Sequence, residues 1–139
     1  MKRRVPLLLL AELLAFTILF PSEAQQIGDS LWSAVDTRGV RHRGSDYGGK
    51  IVPWIRDAIY APRPQYPYEV RAKRITGTGL LRISLDLSSG NVVKAIMIKS
   101  TGSPVLDNAA ISAFRQWRFK PGKWKEIELQ ITFTMRPPQ

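Results

Sequence analysis

One histidine and no cysteine leave this chain little with which to perform metal, redox or nucleophilic chemistry. His42 sits between Arg41 and Arg43 in a glycine- and arginine-rich stretch, so it reads as a surface side chain; no metal site is expected. Glu126 and Glu128 are two apart, on one face if the segment is extended, and could in principle act as acid and base. On a solvated strand face such a pair serves solubility, and the chain is read as a non-enzyme without a cofactor. Gly77-Thr78-Gly79 precedes a strand pattern rather than a helix, so it is no phosphate-cradling loop. The chemistry on offer is that of the backbone. Residues 126–135 alternate without a break, with Ile127, Leu129, Ile131, Phe133 and Met135 on one face and Glu126, Glu128, Gln130, Thr132 and Thr134 on the other. No proline falls between Gly122 and Arg136 and no lysine follows Lys125, so as an edge strand this segment would be open to pairing with another chain.

Positioning such a strand takes a helix and at least two more strands. Leu106, Ala109, Ala110, Ala113, Phe114 and Trp117 repeat at helical spacing, with Ser103 as N-cap and Pro104 at the first helical position. The three alanines allow close approach to a sheet, and Trp117 is expected between helix and sheet. Residues 80–87 and 92–99 read as two strands joined by a turn at Ser88-Ser89-Gly90-Asn91. A second, short helix is expected near residues 67–75, with Tyr68, Ala72 and Ile75 inward. The expected fold is α+β: two helices on one face of a three-stranded antiparallel sheet, strand order 2-1-3, with residues 126–135 at an edge.

Residues 1–24 stand apart. Lys2, Arg3 and Arg4 precede an apolar run over residues 5–20 and a small-x-small site at Ser22-Glu23-Ala24, the layout of a secretory signal peptide. The alternative is a short inner-membrane anchor, although a helix over that run reaches only ~24 Å against a ~30 Å hydrocarbon core. Either reading places the rest of the chain in the periplasm. The net charge of +10, from 21 Lys+Arg and 11 Asp+Glu, would otherwise suggest nucleic acid, but export argues against it. Arg71, Lys73, Arg74, Arg115, Arg118, Lys120, Lys123 and Lys125 read as a solvated rim, or as a basic envelope-facing surface. Residues 25–60 read as a weakly structured arm with a short helix near 53–60, and residues 61–136 as the folded domain.

Motifs through residues 64–135 resemble the TonB C-terminal domain family: Pro64-Gln65-Tyr66-Pro67, the Gly77 and Gly79 pair, Ser100-Thr101-Gly102, Leu106-Asp107 with Ala109-Ala110, and Trp117-Arg118-Phe119-Lys120-Pro121-Gly122. The resemblance implies the same helix-on-sheet fold, with Ser100, Gly102, Leu106, Asp107, Ala109, Ala110, Trp117, Phe119 and Pro121 as its structural motif. It also implies capture of an extended "box" peptide from an outer-membrane transporter by strand addition. The edge would be Glu126, Ile127, Glu128, Leu129, Gln130, Ile131, Thr132, Phe133 and Thr134, helped by Arg63, Pro64, Gln65, Tyr66 and Pro67. Arg63 departs from the glutamine of the best-known transducer. If anchored, the chain would be a short energy transducer coupled to an ExbB–ExbD-type complex, although it carries no long proline-rich spacer. An edge-to-edge homodimer is a further use of the same strand.

Overall fold

The structure, a computed structural model, describes residues 32–135; the expected export segment lies outside them. Its organising helix, α3 (Pro104–Arg115), begins as its sequence dictates: the Ser103 hydroxyl accepts from the Leu106 N–H at 3.4 Å, and Pro104 occupies the first turn. Leu106, Ala110, Ala113 and Phe114 are its buried residues. Asp107 then ties the helix to the loop before it, accepting from the Ser100 hydroxyl at 2.5 Å, the Thr101 N–H at 2.8 Å and the Thr101 hydroxyl at 2.6 Å. Burial pushes the Asp107 carboxyl up, but these three hydrogen bonds outweigh it and hold the group below the usual carboxylate range.

The helix lies against the long strands β4 (Gly77–Leu85) and β5 (Val92–Lys99), and β7 (Trp124–Phe133) pairs with the far side of β4. Leu81, Ile83, Leu85, Ile127, Leu129, Ile131 and Phe133 point from the sheet into the core, as their alternation predicts. Gly77 is required where β4 passes the loop before α3, because a Cβ there would collide with the Thr101 carbonyl. Gly90, with φ +74°, shapes the β4–β5 turn, and a Cβ there would strike the Phe119 carbonyl.

The sheet departs from a three-stranded one. The order β5-β4-β7 matches the expected 2-1-3 arrangement, but two more strands, β1 (Ser33–Asp36) and β2 (Arg41–Arg43), extend it to β2-β1-β7-β4-β5, antiparallel throughout. A second, two-stranded sheet joins β3 (Ala58–Tyr60) to β6 (Arg118–Phe119). Within the stretch expected as a weakly structured arm, residues 33–60 thus supply three strands, a 3-10 turn over Gly44–Tyr47 and α1 (Pro53–Arg56). The hairpin β1–β2 forms because the Asp36 carboxylate accepts the Arg38 and Val40 N–H groups at 2.9 and 3.0 Å, while Gly39 supplies φ +83°. These bonds carry no apolar periodicity, which is why the sequence conceals them.

Two helical expectations are corrected. α2 (Tyr68–Ala72) buries Val70 and leaves Tyr68 74% exposed, so the inward face is not the one assigned. Arg74, at φ +55°, ends that turn. Trp117 lies beyond α3 and is half-buried: it stacks on Phe114 at 4.4 Å and donates through Nε1 to the Pro62 carbonyl at 2.9 Å. Phe119, 1% exposed, fills the core at that end instead.

Candidate peptide-binding edge

β7 is not a free edge along its length. β1 pairs with its first half, setting Ser33 opposite Glu128, Ala34 opposite Ile127, Val35 opposite Glu126 and Asp36 opposite Trp124. Lys125 is skipped in that register, and this bulge lets Trp124 and Ile127 both face the core although they are three apart. The covering hairpin is held from below by aromatic contacts. His42 meets Trp124 edge-on at 5.6 Å, Trp124 meets Trp54 at 5.7 Å, and Trp54 meets Tyr47 at 5.7 Å. Trp124 Nε1 also donates to Asp57 at 2.9 Å.

The open sheet face carries a charge network across the same region. Arg82 reaches Glu128 at 2.7 Å and Glu126 at 3.5 Å, and Arg41 reaches Glu126 at 3.1 Å and Glu128 at 3.5 Å. The two carboxylates considered as an acid–base pair thus each face two guanidiniums. His42 lies 2.9 Å from the Asp36 carboxylate and 3.4 Å from the Tyr47 hydroxyl. That hydrogen bond with His42, opposed by burial and aided by the Val40 and Arg38 donors, holds the Asp36 carboxyl well below its ordinary range.

Beyond Glu128 the picture changes. Residues 129–133 of β7 pair with β4 on one side, from Gly77 opposite Phe133 to Leu81 opposite Leu129, and no described strand borders their other side. There a groove of about 510 Å³ is lined by Arg63, Pro64, Tyr66, Ile131, Thr132, Phe133 and Thr134. Tyr66 sets its wall: the ring packs edge-on against Phe133 at 5.5 Å and the hydroxyl donates to the Ile75 carbonyl. Thr132 adds a hydroxyl contact to Thr78 at 3.2 Å on the open face. Gln130 is half-buried, Thr132 and Thr134 are exposed, and Leu129, Ile131 and Phe133 are buried in the core.

The residues expected at the site therefore divide. Arg63, Pro64 and Tyr66 meet residues 131–134, whereas Gln65 and Pro67 line a separate groove of about 480 Å³ against Ala109 and the rest of the outer face of α3. Glu126, Ile127 and Glu128 lie under β1 and are not open to an added strand. Among the structural-motif residues, Ser100 and Asp107 tie down the β5–α3 loop, Gly102 takes φ +93° there, and Leu106, Ala110 and Phe119 are core. Pro121 precedes Gly122, whose N–H donates to the Leu87 carbonyl at 2.7 Å. The signal that could have revealed β1–β2 is the capping carboxylate of Asp36 followed by the three loop residues Thr37-Arg38-Gly39, the last a glycine.

The profile of the family described as Gram-negative bacterial TonB protein C-terminal matches residues 62–136. Among curated relatives, Protein TonB of Vibrio cholerae is 39% identical over 59 residues, 42% of this chain. Protein tonB2 of Pseudomonas aeruginosa is 37% identical over 65 residues, 47% of this chain. The chain spans only 24% of the length of each. The solution NMR structure of Pseudomonas aeruginosa TonB CTD aligns with 59% of this chain and 86% of its own, at TM-score 0.47 and 21% identity.

Proposed function

We propose, from the premise that this chain belongs to the TonB C-terminal family, that it is a periplasmic peptide-binding module acting through the upper half of β7. An extended segment of an outer-membrane transporter, a TonB-box-like peptide, adds beside residues 129–134 as a further strand. The observation that carries this reading is the groove where that unbordered stretch meets Arg63, Pro64 and Tyr66. Backbone hydrogen bonds would supply affinity, and the alternation of side chains toward Tyr66 or toward Thr132 would supply selectivity. Family membership supports outer-membrane transporters as partners and an ExbB–ExbD-type complex as the source of energy. That coupling requires an anchor in residues 1–24. Among the described residues, no helix is long and apolar enough to cross a membrane.

Proline substitutions test the mechanism. Successive residues of a strand direct their N–H groups to opposite neighbours, so of Gln130 and Ile131 one donates toward β4 and the other toward the groove. Gln130→Pro and Ile131→Pro, made separately, should differ: one loses stability, and the other keeps its circular dichroism and cooperative melt but loses binding to box peptides or a transporter plug domain. If a folded variant of each retains full binding, strand addition is the wrong mechanism.

A further inference from the structure

At the other end of β4 from the Tyr66 groove, three segments bring one row of side chains together. Tyr60 of β3 lies opposite Arg118 of β6, and Asn91, at the end of the β4–β5 turn, bridges to Arg118 as well. Residues directly opposite in an antiparallel pair share a face, so Tyr60, Arg118 and Asn91 project together, while Phe119 next to them is buried in the core. The last turn of α3 adds Arg115, and Gln116 and Trp117 follow it. With Ile59 and Val92 these residues line a groove of about 710 Å³. Val92 stands opposite Leu85, whereas Phe133 stands opposite Gly77. Both ends of the described chain, Trp32 beyond Ser33 opposite Glu128 and Met135 beyond Phe133, lie toward Gly77 and away from this groove.

The chemistry of the groove is one-sided. Arg115 and Arg118 supply guanidiniums, Asn91 and Gln116 supply amides, Tyr60 supplies a hydroxyl, and no carboxylate lines it. Neither guanidinium enters an ion pair among the described residues. The neighbouring acids are engaged elsewhere. Asp57 accepts from Trp124 Nε1 at 2.9 Å and faces Lys120 at 3.8 Å, and Asp86 accepts from the Ser88 and Ser89 hydroxyls at 3.0 and 2.9 Å. Ile59 is 66% exposed, which gives the groove an apolar lip beside its charges. We infer that this groove is a second docking site, for an acidic peptide segment of a partner protein. Its carboxylates meet Arg115 and Arg118 while an intervening aliphatic side chain rests on Ile59, Val92 and the Trp117 ring. The planar fork of a guanidinium suits a carboxylate. A groove of this volume encloses a ligand much larger than a single anion. A bilayer surface, flat on this scale, would touch the lip and leave the groove unfilled. The inference does not rest on strand addition at β7, and it employs cations that the edge leaves idle.

The test titrates the isotope-labelled full chain with the acetylated, amidated peptide Glu-Val-Glu-Val-Glu and with its Gln-Val-Gln-Val-Gln counterpart. Amide shifts should concentrate at Asn91, Val92 and residues 115–118 with the acidic peptide and be absent with the neutral one. Arg115→Gln and Arg118→Gln, each checked for an unchanged melt, should each weaken the acidic peptide about fivefold, the difference shrinking in high salt. Lys123→Gln removes the same charge from outside the groove and should change affinity by less than about twofold. No shift at the groove with the acidic peptide, or equal binding of the neutral one, overturns the inference. So does an equal loss with Lys123→Gln, which would mean that only the overall positive field attracts the peptide. Inorganic phosphate giving the same shifts at the same affinity would make this a small-anion site, and binding by phosphatidylglycerol vesicles but by neither peptide would make it a membrane contact; both contradict the inference. Shifts confined to residues 129–134 would place the acidic peptide on the β7 edge, supporting strand addition and overturning this inference alone.

Discussion

From Glu126 onward the two halves of β7 share one alternation and one partner, β4, yet they meet different surroundings on the other side. Residues 124–128 are bordered by a hairpin that an aromatic cluster and Arg41 clamp in place. Among the described residues, only β4 and a groove border residues 129–133. A strand pattern therefore specifies which face is buried but not whether the edge is occupied. Occupation depends on what lies beside the strand, and here that is a four-residue and a three-residue strand from a distant part of the chain.

Breaking the covered half should have the largest effect. Trp54 is fully buried between Tyr47 and Trp124, so Trp54→Ala should cost about 3–5 kcal/mol by urea denaturation and release β1 from exchange protection. A full loss of stability with β1 still protected would show that Trp54 supports the core and not the hairpin. Trp117→Ala removes a half-buried ring stacked on Phe114 and bonded to the Pro62 carbonyl; it should cost about 1–3 kcal/mol and leave box-peptide binding unchanged. Binding lost together with stability would tie that end of α3 to the edge.

Smaller changes sharpen the boundary. Arg82 pairs with Glu128 at the junction of the halves, but its side chain is 38% exposed, so Arg82→Ala should cost no more than about 1 kcal/mol, with most of the effect lost in high salt. Acid should act on the covered half through Asp36. Its folded-state pKa lies below the unfolded value, so its stabilising contribution is present above about pH 4 and fades as pH falls toward the depressed value. Amide protection at Gly39 and Val40 should fall on acidification in the parent chain and respond less in Asp36→Asn. Equal pH responses in the two proteins would remove Asp36 from the account.

How much of this was legible in the sequence follows from which residues carry the information. The helix α3 and the strands β4, β5 and β7 announce themselves because each buries one apolar face against the others, and that leaves a period. Ser103, Pro104 and Asp107 mark the helix start through local hydrogen bonds that any reader of caps can find. β2 consists of Arg41, His42 and Arg43 and is held by ion pairs and an edge-on ring, so nothing in its hydropathy records a strand. Trp54 and Trp124 are core residues whose partners are far away in sequence, and the bulge at Lys125 shifts Trp124 out of phase with the alternation that begins at Ile127. At the site, the strand and the Tyr66 wall could be read from motifs. The covering of Glu126, Ile127 and Glu128 could not, because it depends on a tertiary contact made by seven polar-rich residues.

Residue-resolved amide hydrogen exchange of the free chain tests the division of β7 most directly. From Glu126 to Glu128, amides directed at β4 and amides directed at β1 should both be slow, because both sides are paired. From Leu129 to Phe133, slow amides facing β4 should alternate with fast ones facing the groove. Uniform protection along the whole of residues 126–133, or alternating protection throughout, would contradict the account.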